Sequence, residues 1–460
     1  MTSEEIDRYT RREYAIDCPQ MVLRQDTDNS PETYRGAGSI YQTPEGALVF
    51  KLYDRGKGSF AAFARKLGPN SPKSGEIIPR DDYFTLEATS MHGDIWRGER
   101  ILPELTQGVG GDRVVAGRLY RLVRETNDPL SNNRASYLSL HFAHAFDFPG
   151  NTPQTVRTFL RGVEVGMSGD WAHALFDAAS LKFEIHEHRG TVFLAAESKN
   201  ANLPPNLDMR ISEALEFVFF LPLRWVVQEK SEAGRYTTCL RPHPKKIAKR
   251  YARPPIQFST VSIKTDVWNL FAKYLEFVLP HLDARWHPLS ERVHLVATGD
   301  AGSLDAGLLA LSVAVEGALS IGFPNLANSG SELDEQIAKT TSIVSGADLT
   351  DSFKQRLTGA LAAMRAPRAK DRLRALVAAG SIRKELMDRW ASLRNSTVHA
   401  SDADPAEIRA LYRRYQSALT LFNELVMLVI GYSGEYTDYS TSGWPARTME
   451  VRSSAATQAI

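Results

Sequence analysis

Apolar and polar positions follow two different rhythms along this chain, and the change falls near residue 259. Before it, short runs alternate with period two and are separated by turn dipeptides, as in Gly38-Ser-Ile-Tyr41 and Ala47-Leu-Val-Phe-Lys-Leu-Tyr53 around the turn Pro44-Glu-Gly46. The clearest hairpin is Leu181 to His188, then Arg189-Gly190, then Thr191 to Ala196, with Leu181, Phe183 and Ile185 alternating with polar neighbours. Two helical insertions are predicted in this half, near Thr152 to Gly162 and, led by Asp208, over Met209 to Phe219. After residue 259 the period becomes helical: Val267, Leu270, Phe271, Tyr274, Leu275 and Val278 recur at three and four, as do Leu304, Leu308, Leu311, Val315 and Leu319. Further helices are predicted over Leu349 to Met364 and Lys370 to Leu393, separated at Pro367. A last one opens at Asp404-Pro405-Ala406-Glu407, with Asp404 as N-cap and Glu407 closing a capping box, and runs to about Ile430.

The fold class is therefore α+β in two domains: a mostly-β module over 1–240, sandwich-like or barrel-like, and an all-α bundle over 259–450, followed by a small, polar, loose tail over 451–460. Residues 241–258 read as a linker, because prolines discourage regular structure from Arg241 to Pro255 and seven side chains there are Lys, Arg or His. Lys245, Lys246, Lys249 and Arg250, with Tyr251 beside them, could instead grip phosphates and stack on a base.

Composition narrows the function classes. Lys and Arg number 55 against 54 Asp and Glu, so any nucleic-acid contact must be local. The two cysteines, Cys18 and Cys239, support neither a disulfide framework nor a zinc knuckle, and the start Met-Thr-Ser-Glu-Glu-Ile-Asp has no basic, apolar leader, which points to a reducing cytoplasm. The apolar stretches Leu215 to Val227 and Leu419 to Ile430 are interrupted by Pro222 and Arg224 or by Asn423 and Glu424, so no membrane partner is expected from them.

The candidate chemistry lies in Trp390-Ala-Ser-Leu-Arg394-Asn395-Ser396-Thr397-Val398-His399. Of the eleven histidines only His399 has an arginine five residues before it. Imidazole titrates near neutral pH and can move a ribose 2′-hydroxyl proton or protonate a leaving 5′-oxygen. A guanidinium stays charged and its fork of donors fits phosphate oxygens, so Arg394 suits the scissile phosphate, and Asn395 adds a neutral donor. Residues five apart on a regular helix differ by about 140° in azimuth. Either the helix breaks between Arg394 and His399, or two copies pair so that both sets line one cleft.

Glu316 sits in an otherwise apolar helix and needs a cationic or hydrogen-bonding partner. It either orients Arg394, or another base of the motif helix, from behind or is a partly exposed, structurally paired glutamate. Arg389, Ser396 and Thr397 flank the motif and are candidate RNA contacts, as is Asp388. Glu184, His186 and His188 fall on one strand face, and His141 and His144 lie close in sequence, but neither set has a fourth ligand or a zinc spacing, so no metal site is assigned. No Gly-x4-Gly-Lys-Ser/Thr loop or Gly-x-Ser-x-Gly elbow occurs, and no cofactor is expected.

Arg394-Asn395-Ser396-Thr397-Val398-His399 resembles the motif of ribonucleases of the HEPN superfamily, which carry Arg, a polar residue, three variable residues and His. The helix ending in Val313-Ala-Val-Glu316, the long final helix and the closing Ile430-Gly-Tyr-Ser-Gly-Glu-Tyr-Thr-Asp-Tyr-Ser-Thr-Ser-Gly-Trp444 look like the HEPN domain of ApeA-like anti-phage proteins, and the β-rich half is similar to their N-terminal domain. The resemblance implies a HEPN helical bundle, a catalytic site of Arg394, Asn395 and His399 shared across a homodimer or higher homo-oligomer, and Glu316 behind it. It further implies an endoribonuclease of anti-phage defence acting on RNA, with tRNA or other single-stranded loops as substrate, held in check until the N-terminal domain senses a phage-derived trigger. The alternative is a catalytically silent HEPN module that binds RNA or a protein partner.

Overall fold

Period-two alternation in the first half does become strands. The computed structural model describes residues 1–54, 76–107, 113–127, 135–152, 154–160, 163–170, 173–188, 190–198, 202–244, 252–258, 265–299, 303–326, 331–365, 367–396 and 405–450. Contacts divide the chain into two compact units: Met1–Asp208 with Leu223–Ile247 and Thr260–Ile263, and Met209–Pro222 with Ala248–Ser259 and Lys264–Ile460. The helix near Met209 to Phe219, although it lies between strands of the β-rich half, therefore counts with the second unit.

The first unit opens with α1 (Ser3–Thr10), capped by Thr2 and Glu5 in a reciprocal capping box. Strands follow as β1 (Ala15–Gln25), β2 (Thr33–Gln42), β3 (Leu48–Asp54), β4 (Phe84–Thr89), β5 (Ile95–Ile101), β6 (Glu104–Gln107), β7 (Arg113–Leu119), β8 (Leu122–Asn127) and β9 (Tyr137–Phe142). Then come β10 (Gln154–Leu160), β11 (Val163–Asp170), β12 (His173–Ala178), β13 (Leu181–His188), β14 (Thr191–Ser198), β15 (Trp225–Glu232) and β16 (Arg235–Leu240). Fourteen of these form one antiparallel sheet in the order β12-β13-β14-β9-β15-β16-β8-β5-β4-β1-β2-β3-β7-β6, and β10 pairs with β11 alone. The expected helix over Thr152 to Gly162 is thus a strand; Val156, Thr158 and Phe159 are β-branched or aromatic, and the antiparallel partner β11 fixes the extended form.

The sheet curls over its middle. β5 and β7 are separated by four strands in the order, yet a Cβ on Gly98 of β5 would lie 2.9 Å from Leu119 Cδ2, and one on Gly117 of β7 would lie 3.1 Å from Ile101 Cγ2. Only glycine lets the two strands approach so closely. Inside the curl lie Met21, Leu23, Ile40, Phe50, Leu52, Leu86, Trp96 and Val115, all buried. The predicted hairpin is present as β13 paired with β14, with Leu181 opposite Ser198 and His188 opposite Thr191.

The second unit holds α2 (Leu207–Phe219), α3 (Thr265–Val278), α4 (Pro288–Gly299), α5 (Leu304–Gly322), α6 (Ser331–Gly346), α7 (Asp351–Ala363), α8 (Ala369–Ala378), α9 (Lys384–Ser396) and α10 (Pro405–Val429), closed by a hairpin of β17 (Gly434–Thr437) and β18 (Ala446–Met449). The single helix expected over Lys370 to Leu393 is two helices, because Gly380 takes φ +70° and the Ser381 N–H turns back to the Leu376 carbonyl, which ends α8. α10 starts at Pro405 as predicted, whereas Asp404 lies outside the described residues. From Ser417 to Met427 every residue of α10 is buried, so this stretch is surrounded by its own unit. α5 is the one described helix long and apolar enough to cross a membrane; half of it is buried, and it packs on α4, α8, α9 and α10.

The proline-rich stretch is held at both described ends. In the first unit the Arg241 guanidinium lies 3.5 Å from the Trp225 ring centroid and His243 Nε2 is 3.0 Å from the Tyr9 carbonyl. In the second, Pro255 accepts from the Thr437 N–H, Pro254 from the Tyr439 hydroxyl, and Arg253 lies over Trp444.

Candidate functional site

Leu386, Met387, Trp390 and Leu393 recur at helical spacing and are all buried, which fixes the face of α9 that packs on α5 and α10. The backbone of Arg394, Asn395 and Ser396 forms the last turn of this helix. Thr397 and His399 lie outside the described residues, as do Lys245, Lys246, Lys249 and Arg250. Arg389 is described and does not face outward freely: its Nη1 donates to Ser417 Oγ at 2.9 Å and to the Ser440 carbonyl at 3.2 Å.

Below Arg389 a buried ionic network holds the start of the helix. Arg383 donates through Nη1 to Asp438 Oδ2 at 2.7 Å and through Nη2 to Glu424 Oε1 at 2.8 Å. Arg447 Nε reaches the same Asp438 oxygen at 2.6 Å, and the Tyr436 hydroxyl donates to Glu424 at 2.7 Å. Burial would raise the Asp438 carboxyl, but hydrogen bonds from Arg383, Ser440 and Thr441 outweigh it and hold the group well below the ordinary aspartate range. Burial lifts Glu424 above its ordinary value against the pull of Arg383 and Tyr436. The network joins the start of α9 to α10 and the β17–β18 hairpin, so the motif helix is clamped at Arg383, the residue before it, and again at Arg389, six residues on. None of these partners was evident in the sequence; Glu424 stood out only as a charge interrupting an apolar stretch.

These contacts also give the register. Arg383 meets Glu424 and Arg389 meets Ser417, so α9 and α10 run antiparallel. Continued along both helices, that register brings the backbone of Arg394 level with Tyr412 and Arg413. Arg409 and Arg413, four apart, are exposed there, and Tyr412 stacks on Tyr415 with centroids 6.4 Å apart. The end of the helix pair that carries the motif is cationic among the described residues.

Glu316 is half-buried on α5, the helix that packs on both α9 and α10. Leu309 and Val313, four residues apart on the same helix, are 59% and 43% exposed. The next residue, Gly317, leaves room for Arg292, whose Cδ would lie 2.7 Å from a Cβ at that position.

A second polar cluster of this unit went unforeseen. Arg210 and Glu213, one helical turn apart on α2, are fully buried and paired. Arg210 Nη2 donates to the carbonyls of Asp283 and Arg285 at 2.7 and 2.6 Å, while Glu213 accepts from the His287 N–H and from Ser290 Oγ, itself 2.9 Å from the Tyr274 hydroxyl. Glu216 and His294 form a further pair at 2.7 Å. The cluster ties the turn before α4 to α2; Ser290 has no exposure and no path to a substrate.

In the first unit, two of the histidines noted in sequence, His186 and His141, fall in one cross-strand row with His173, which was not: His173 opposite His186, His186 opposite Phe193, and Phe193 opposite His141. His173 Nε2 is 3.0 Å from Glu184 Oε1, and burial pushes His141 down to about 4. Among the described residues no three His, Cys, Asp or Glu side chains gather as a metal site would require. No family model, no curated protein and no solved structure matches the chain.

Proposed function

We propose that this chain is a metal-independent endoribonuclease of the HEPN type, working as a homodimer or higher homo-oligomer in anti-phage defence, with a trigger sensed by the β-rich unit. The observation that carries the reading is the sequence Arg394-Asn395-x3-His399, whose first two residues lie in the last turn of a helix held on α10 through Arg383, just before it, and Arg389. Clamping matters because a catalytic group must be held within a fraction of an ångström of its productive position. In the reaction the ribose 2′-oxygen attacks phosphorus, the bond from phosphorus to the 5′-oxygen breaks, and one proton leaves the 2′-hydroxyl while another reaches the 5′-oxygen. The products are a 2′,3′-cyclic phosphate and a 5′-hydroxyl, and no water is consumed. His399 transfers one of those protons, Arg394 holds the phosphate and offsets charge in the transition state, and Asn395 donates to the same oxygens. Arg409 and Arg413 favour the approach of a polyanion to that end of the helix pair. Single-stranded loops, such as those of tRNA, suit the site because their nucleotides can rotate into in-line geometry. The dimer reading draws on the exposed apolar pair Leu309 and Val313 beside Glu316.

Purified wild-type and His399→Ala protein, incubated with total bacterial RNA in EDTA and analysed by sequencing that captures cyclic phosphates, test the proposal. Discrete cuts by the wild type, reduced at least about a hundredfold in the variant, are the expected result. Cleavage at full rate by His399→Ala would overturn the assignment.

A further inference from the structure

An open groove of about 1270 Å³ lies across β5, β8 and the start of β16 in the β-rich unit. Its wall carries Arg97, Arg100, Arg121 and Arg235 against two carboxylates, Glu99 and Glu125, and Arg97 also pairs with Glu87 at 3.2 Å. Tyr120 stands at its edge with 71% of its surface exposed, and Tyr83 lines the other side. An exposed tyrosine in the bend between β7 and β8, with arginines around it, offers a ring on which an unpaired base stacks while its phosphates are neutralised.

Two features show that the groove is shaped rather than left over. Between β4 and β5 the register moves from Leu86 opposite Gly98 to Phe84 opposite Ile101, so Glu99 and Arg100 together oppose Thr85 alone. Within this bulge Arg100 adopts φ +56°, a left-handed conformation that residues with a side chain rarely take, and the bulge turns Glu99 and Arg100 into the groove wall. Arg121 is fixed from behind, its Nε donating to the buried Cys239 Sγ at 3.1 Å. Burial pushes the Cys239 thiol above its ordinary value, so it stays protonated at neutral pH and leaves the Arg121 charge uncancelled.

The cationic stretch also ends at a definite place. Past Arg100 the surface continues into a second hollow lined by Asp26, Asp28, Asp81, Glu87 and the shared Glu99 against Arg24, Arg80 and the shared Arg100, an acidic balance that disfavours phosphates. The first groove exceeds the 300–1,000 Å³ range of ordinary small-molecule pockets, a size that suits an extended occupant. We propose that this groove binds a short single strand of nucleic acid, with Tyr120 and Tyr83 stacking bases, the four arginines holding phosphates, and Glu99 and Glu125 accepting from exocyclic amines. The proposal is independent of the motif on α9, since it concerns binding by the other unit.

Fluorescence anisotropy of the full-length protein with labelled ten-nucleotide probes tests it. The deoxyribonucleotide probe lacks a 2′-hydroxyl and cannot be cut by the reaction above, so its binding reports on the groove whatever the fate of the catalytic reading; a ribonucleotide probe, presented to His399→Ala protein, distinguishes a preference for RNA. Saturable binding whose Kd rises about tenfold or more in Tyr120→Ala with Arg235→Ala, and weakens with salt, is expected. Arg80→Ala, in the acidic hollow, should leave the affinity unchanged. Both groove residues are exposed, and an unaltered thermal transition would confirm that the variants fold. Absence of binding by the wild type to either probe, or binding insensitive to the groove substitutions, would overturn the proposal.

Discussion

Asp438 has no exposed surface, yet it receives Arg383, Arg447, Ser440 and Thr441 and so remains ionised. A buried charge with that many donors is stabilising only while all of them are present. Asp438→Asn should lower the unfolding free energy by about 3 kcal/mol, near the low end for a broken buried pair because Arg383 keeps Glu424, and chemical denaturation would measure it. The sign with pH follows from the depressed folded value: the contribution is complete above the unfolded-chain value near 4 and is lost as pH falls through the folded one. Wild-type stability should therefore drop more steeply than that of the variant as the pH is lowered from about 5.

At the scale of elements, the approach of α5 to α10 depends on Gly322. A Cβ there would lie 2.1 Å from Val429 Cγ2, and valine, stiff at its first torsion, cannot swing away. Gly322→Ala should cost about 1–3 kcal/mol, and Val429→Ala in the same chain should recover part of that loss, a coupling that a double-mutant cycle would read directly. Such close approaches explain what could and could not be foreseen. Leu308, Leu311, Val315 and Leu319 announced α5 and its buried face, and Leu181 to Ala196 announced its hairpin, because one side of each element is dry. Thr152 to Gly162 misled, since its strand is set by a partner across a short loop and not by its own pattern. α4 and α6 went unread because His294 and Glu291 on one and a largely polar sequence on the other blur the helical period. Of the candidate site, Arg394 and His399 were legible as residue types at a spacing. The arginines that clamp their helix were not, since Arg383, Glu424 and Asp438 are separated by 41 and 55 positions along the chain and meet only through tertiary packing.

At the scale of the whole molecule, nearly balanced charge conceals local imbalance: arginines gather in the groove wall of one unit and at the open end of α10 in the other. Self-association is the remaining whole-molecule property to check. Leu309→Glu with Val313→Glu places two charges on the exposed apolar face of α5 and should shift the mass seen by light scattering from dimer or larger to monomer; an unchanged mass would show that another face mediates assembly. The two ends of α10 carry a different consequence. From Ser417 to Met427 it is enclosed on every side, while Ile408, Arg409 and Ala410 near its beginning face solvent. A single helix thus spans two regimes of local stability: its enclosed part opens only when the bundle opens, and its exposed part can unwind and re-form at a small fraction of that free energy. The backbone of Arg394 lies beside the second regime, so the surroundings of the proposed site can rearrange around a substrate while the core beneath stays folded.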